Sequence, residues 1–142
     1  MTLLDAYALV ALLADEPAAG EVEALLYAGE AGVAVVNLAE TIDVSARVHG
    51  IPEAELRAVL EPLLGTVVSV VVQDESAAWR AAELRGRYYD RRSCPLSLAD
   101  CFLLAEAGPD DAVASSDPAV CSVAREEGLG VIALPDAAGV RP

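Results

Sequence analysis

The chain has 142 residues, 55% hydrophobic and only 4% aromatic, with 23 acidic side chains against nine basic ones and a net charge of −14. That composition excludes a disordered chain, gives a single domain over residues 1–142 a core of Ala, Val and Leu, and leaves no apolar run near the roughly 20 residues that span a bilayer. All nine basic residues are Arg, and so acidic a surface repels nucleic acid unless a local basic patch, a metal ion or a partner offsets it.

The apolar N-terminus has no basic region and is interrupted by Asp5 and Asp15, so no signal peptide is read and a cytoplasmic location without membrane association is expected. Cys94, Cys101 and Cys121 are odd in number and form no C-x-x-C pair, which argues for buried free thiols rather than a disulfide framework or a zinc site. The single His, His49, stands before Gly50 and Pro52, a setting for a helix C-terminal turn and not for a nucleophile system.

Thr2-Leu3-Leu4-Asp5 reads as a short buried strand ended by an acid. Tyr7 to Ala14 continues as an apolar helix, and a loop marked by Pro17 and Gly20 leads to a second helix over Glu21–Tyr27. Gly29 and Gly32 break it. Val33-Ala34-Val35-Val36 has the continuous β-branched character of a parallel strand buried on both faces. Asn37 is then placed to cap a helix running to about His49, with Leu38, Ile42, Val44 and Val48 as its apolar side and Glu40 at the margin of that arc.

Pro52 to Leu64 reads as a helix with a Leu56, Val59, Leu60 and Leu63 stripe, and Thr66–Val72 as a third strand. Asp74 caps a helix to about Tyr89 that buries Ala77, Ala81, Leu84 and Tyr88, with Trp79 partly packed. Arg80, Arg85, Arg87, Arg91 and Arg92 follow within a few turns, the one basic cluster in the chain. Arg near a helix C-terminus suits the dipole; the functional reading makes the cluster, with Arg87, Arg91 and Arg92, a phosphate-contacting patch.

Ser97 and Asp100 make a capping box for an apolar helix that Gly108 and Pro109 end. Ala112-Val113-Ala114 is a fourth strand, Asp117-Pro118 starts a helix ending near Gly128, and Val131–Leu134 is a last strand. Helices and apolar strands alternate throughout. The fold class is α/β: a three-layer α/β/α sandwich around a central, mostly parallel five-stranded sheet.

Capping explains Asp100 and Asp117 one at a time, and a solvated helix face explains Glu40. Together the acids say more. Sites in open parallel sheets form outside the carboxyl ends of the strands, where the strand order reverses. If strands one and four are neighbours, Asp5, Glu40, Asp100 and Asp117 reach one edge. Four carboxylates there repel unless a cation joins them, oxygen donors select a hard ion such as Mg²⁺ or Mn²⁺, and such an ion supports phosphodiester hydrolysis.

Leu3-Leu4-Asp5, Val36-Asn37-Leu38-Ala39-Glu40, Leu96-Ser97-Leu98-Ala99-Asp100 and Ser115-Ser116-Asp117-Pro118, in that order, resemble the motifs of PIN domains of the VapC-like toxin group. The resemblance implies a Mg²⁺- or Mn²⁺-dependent endoribonuclease, a homodimer, and inhibition by a cognate antitoxin bound near the acidic cleft. It makes Asp5, Asp100 and Asp117 the primary metal ligands, gives Glu40 a second ion or the attacking water, and puts Ser116 in a supporting role. The chain departs from the group in having no Lys. A response-regulator receiver needs a Lys near the sheet edge, and a haloacid-dehalogenase phosphatase needs D-x-D where Asp5-Ala6-Tyr7 stands. The remaining alternative is a catalytically weak PIN-like module that works through protein–protein contacts, its acids serving only as caps.

Overall fold

The computed structural model describes residues 1–142. Its elements, in chain order, are β1 (Thr2–Leu4), α1 (Ala6–Leu13), α2 (Ala19–Ala28), β2 (Ala31–Ala34), α3 (Val35–Arg47), α4 (Glu53–Leu63), β3 (Val68–Val71), α5 (Glu75–Tyr88), α6 (Leu98–Glu106), β4 (Ala112–Ser115), α7 (Pro118–Glu126) and β5 (Gly130–Ala133). The five strands form one sheet in the order β3-β2-β1-β4-β5, and every pair is parallel. β1 lies at the centre, so the order reverses between β1 and β4, where a crevice opens at the carboxyl ends. No helix is long and apolar enough to cross a membrane.

The central strands β1, β2 and β4 are buried on both faces, as their unalternating apolar sequences require, while the edge strands β3 and β5 are partly open to solvent. β1 sends Leu3 to a cluster completed by α5, α6 and α7, with Leu84, Leu104 and Val123 among its members. The next residue, Leu4, points to the opposite cluster, built with Leu9 of α1 and Val22 and Leu26 of α2. Each fully buried Leu contributes on the order of 2 kcal/mol by leaving water. Cys101 and Cys121 are buried free thiols, while Cys94 is only half-buried.

Five local expectations are corrected. β2 spans Ala31–Ala34, not Val33–Val36, because Gly32 lies inside the strand: a Cβ there would press on Met1 and Leu3 of the neighbouring β1. The break falls at Gly29 alone, which ends α2 with φ +78°. Asn37 is therefore not a cap. Helix α3 begins at Val35 with Ala34 as its unassisted N-cap, and Asn37 is buried in the first turn. The buried face of α3 is also polar, formed by Asn37, Thr41 and Ser45, with the Thr41 hydroxyl donating to the Ala6 carbonyl at 3.2 Å. Ile42 faces a groove shared with Leu56 and Leu60 of α4 instead of the main core, and Val48 is exposed. Trp79 is 72% exposed on the outer side of α5, away from any packing role.

Candidate active site

Asp5 is the first residue after β1. It caps α1, its Oδ1 accepting the Ala6 N–H at 2.7 Å, while its Oδ2 accepts the Ser115 hydroxyl at 2.5 Å. The side chain is buried. Burial is the main cause that pushes its pKa up to about 7; the bonds from Ser115 and Ala6 oppose the rise, and the charges of Asp100 and Glu40 add to it.

Asp100 sits at the third position of α6 and forms both halves of the capping box with Ser97: its Oδ2 accepts the Ser97 N–H at 2.6 Å and its own N–H reaches Ser97 Oγ at 3.0 Å. Burial raises its pKa, the Ser97 bonds lower it, and the charge of Asp117 raises it further. Asp117 caps α7, its Oδ1 accepting from Ala119 N–H at 2.6 Å and Val120 N–H at 3.4 Å. Glu40, one turn into α3, is half-buried, with a pKa raised by burial and by the charges of Asp100 and Asp43.

All four acids, with Ser116, line one cavity of about 580 Å³ above β1 and β4. No three of them converge closely enough, as the side chains stand, to enclose an ion. The donor set nevertheless fits a hard divalent cation. Capping occupies Asp100 Oδ2 and Asp117 Oδ1, leaving Asp100 Oδ1, Asp117 Oδ2 and both Glu40 oxygens without hydrogen bonds. Burial, with a smaller contribution from their mutual charges, raises the pKa values of Asp5, Glu40 and Asp100, and a cation at the cavity offsets both. For Asp100 and Asp117 capping and coordination are compatible because each uses a different oxygen; both Asp5 oxygens already accept a hydrogen bond.

Ser115 was not singled out by its motif; Ser116 was. Ser116 lines the cavity, but Ser115 makes the contacts, donating to Asp5 Oδ2 and accepting the Asp117 N–H at 3.0 Å. Strand register holds the missing signal. Once β1 and β4 are paired with Leu4 opposite Ala114, the next residues, Asp5 and Ser115, face each other.

The Arg residues stand elsewhere. Arg87 is held by Glu83 at 2.8 Å and Glu127 at 2.9 Å, and Arg91 and Arg92 are exposed in the turn after α5; none of the three lines the acidic cavity. Arg85 is the basic side chain whose charge reaches Asp100. It stacks 4.2 Å over the Tyr89 ring and donates to the Leu96 carbonyl, just before the capping box.

Ser97→Ala removes the hydroxyl that caps α6 and should cost about 1 kcal/mol. Urea unfolding checks this: the midpoint falls while the slope stays unchanged, and an unchanged midpoint would deny the box a stabilising part.

A PIN domain family model matches residues 2–132. The chain belongs to the PIN domain family. PIN domains are in general nucleases, in keeping with a cleft of carboxylates at the carboxyl ends of a parallel sheet. Among solved structures, this PIN domain superposes on FitAcB from Neisseria gonorrhoeae with a TM-score of 0.64, at 22% identity over 93% of this chain and 96% of that one. No curated protein gave a significant sequence match.

Proposed function

We propose that this PIN domain is a divalent-metal-dependent endoribonuclease and the toxin of a toxin–antitoxin pair, a homodimer held inactive by a cognate antitoxin over the acidic cavity. The observation that carries the nuclease reading is the meeting of Asp5, Glu40, Asp100 and Asp117 around one cavity, with oxygens left over after capping. The toxin, antitoxin and dimer parts rest on the motif resemblance.

Asp5, Asp100 and Asp117 hold the Mg²⁺ or Mn²⁺, and Glu40 positions the attacking water or a second ion. When bound, the ion supplies Lewis-acid polarisation of a phosphate oxygen and lowers the pKa of a coordinated water. Ser115 keeps the Asp5 carboxylate aimed by donating to it, and Ser97 does the same for Asp100 through the cap. Glu40, raised in pKa by burial and then by the charges of Asp100 and Asp43, is suited to take a proton from the water. Ser116 supports the wall beside Asp117, and Arg91 and Arg92 offer free guanidinium groups to the flanking phosphates.

The test is cleavage of a structured RNA pool by purified protein free of antitoxin. Cutting should appear in Mg²⁺ or Mn²⁺ and stop in EDTA. Equal cutting in EDTA would sink metal dependence. The rival is a catalytically weak PIN-like module that works through protein–protein contacts, and a folded protein inactive in every metal would shift the weight to that rival or to a narrow RNA target outside the pool.

A further inference from the structure

The five-stranded sheet is open and has two edges, β3 and β5. An open edge offers unpaired N–H and C=O groups to any strand that fits them. The β5 edge is guarded. Leu134 N–H donates to the Ser115 carbonyl of β4 at 2.9 Å, so Ala133, one residue earlier, faces outward, and its carbonyl accepts the Arg141 guanidinium at 2.6 Å. Glu21 holds that Arg141 in place at 2.6 Å. The β3 edge has no such guard. Thr2 N–H donates to the Glu30 carbonyl at 2.7 Å, which turns Glu30 and Gly32 towards β1, and Ala31 and Val33 towards β3. Val68 and Val70 lie opposite Ala31 and Val33, and in a parallel ladder the residue opposite a bonded one turns its own groups away. Gly65 N–H agrees with this, donating to the Val68 carbonyl at 2.8 Å from the side away from β2. Val70 therefore presents both its N–H and its C=O at the edge. The Val70 side chain is 38% exposed, and that of Val72 is 76% exposed.

Soluble proteins keep such edges apart with charge or proline. The segment Thr66–Val72 has neither. It is β-branched at every position but Ser69, and it lies within Pro62–Gln73, the longest uncharged stretch of the chain. We propose that the β3 edge binds a second copy of this chain, the two β3 strands pairing antiparallel about a two-fold axis at Val70. A two-fold axis makes the same patch face itself, and an edge strand meets itself under that symmetry only in the antiparallel sense. With the axis at Val70, its N–H and C=O exchange bonds with those of the partner's Val70. Val72 then lies opposite the partner's Val68, and the exposed valine side chains cover one another. Charge selects this occupant. Two copies of net charge −14 repel over most of their surfaces, and the strand between Glu61 and Asp74 lets them meet without bringing carboxylates together. The acidic cavity stands above β1 and β4, so pairing at β3 leaves it clear. The contact rests on the homodimer proposed above; its place comes from the outward backbone groups and the uncharged strand.

Sedimentation equilibrium of the full-length protein in EDTA tests this. One strand pair makes a small interface, so the dimer should be weak, with Kd on the order of 10 µM, and it should tighten as salt screens the two net charges. Val70→Pro removes an N–H that faces away from β2, a position where an edge strand tolerates proline, and should raise Kd by about tenfold or more. Val70→Glu sets like charges face to face on the axis and should do the same. Val70→Cys should form an intermolecular disulfide under mild oxidation, because a hydrogen-bonded antiparallel pair holds its Cα atoms about 5.5 Å apart, within disulfide reach. Circular dichroism identifies the folded variants, and if Val70→Pro does not fold, Val70→Glu and Val70→Cys decide. A parent dimer whose Kd the folded variants leave unchanged, with no cross-link through position 70, overturns the edge contact and keeps the homodimer. A parent that stays monomeric at about ten times the expected Kd overturns both.

Discussion

Asp100→Asn is expected to lower RNA cleavage by at least about a hundredfold while leaving the protein folded. Outer-sphere partners of metal ligands already cost about 10–100-fold when removed, so a direct ligand sets a larger loss. Retained folding follows from the way the two oxygens divide their duties. Oδ2 accepts the Ser97 N–H, and the amide oxygen of Asn can take that place, since Asn is as good a capping residue as Asp. The amide nitrogen then replaces Oδ1, turning an anionic donor to a cation into a neutral N–H donor that cannot ligate one. Circular dichroism and a urea midpoint within about 1 kcal/mol of the parent establish the fold. Parent-level cleavage from such a protein would take Asp100 out of the chemistry and leave it a cap.

Asp5→Asn should also abolish cleavage, but its larger surprise is in stability. The folded-state pKa of Asp5 stands at about 7 against an ordinary 3.8. Between those values the folded chain keeps a proton that the unfolded chain has lost, so stability falls as pH rises through the window and the full penalty is present above pH 7. The shift corresponds to roughly 4 kcal/mol as an upper bound. Asn carries no charge and escapes this. It does lose the short bond from Ser115, a charge-assisted one worth about 1.5–3 kcal/mol. The difference leaves Asp5→Asn about 2 kcal/mol more stable than the parent at pH 8 in EDTA, and no more stable at pH 4, where the folded chain keeps the Asp5 proton, the unfolded carboxyl is only partly ionised and most of the penalty is gone. Urea unfolding at the two pH values reads this directly. A variant less stable than the parent at pH 8 would show that Asp5 is not carrying an unfavourable charge. Addition of Mg²⁺ at pH 8 should raise the parent and not the variant, because only the parent holds the carboxylate that gains from the ion.

This trade of stability for chemistry explains which parts of the molecule could be read from the chain. The parallel sheet was legible because its central strands are apolar without alternation, Ala31–Ala34 being buried at every position. The caps were legible because Asp74, Ser97 and Asp117 are each local: one side chain and one backbone N–H within three residues. Asp5 and Asp117 line one cavity because each follows the end of one of two neighbouring strands, β1 and β4. Tertiary packing overrode local pattern elsewhere. Ile42 and Val48 form an apolar stripe by period, yet α3 turns its polar side inward, since its tight approach to α1 is made by small side chains and the Thr41 bond to Ala6. Ser115 was invisible until strand register was known. The Arg cluster was read as a phosphate patch, but Glu83 and Glu127 already occupy Arg87.

The order β3-β2-β1-β4-β5 also sets when the site can exist. Asp5 and its donor Ser115 are 110 positions apart in the chain, and a contact so distant in sequence forms only after the intervening segments have folded. On a ribosome, a nascent chain that has exposed β1, β2 and β3 has neither Ser115 to aim Asp5 nor Asp117 to complete the quartet. Whatever this cleft cuts, it cannot cut while the chain is being made: synthesis must pass α6 and β4 before the acids share a cavity. For the ribonuclease activity proposed above, this delays the hazard until almost the whole chain has been translated.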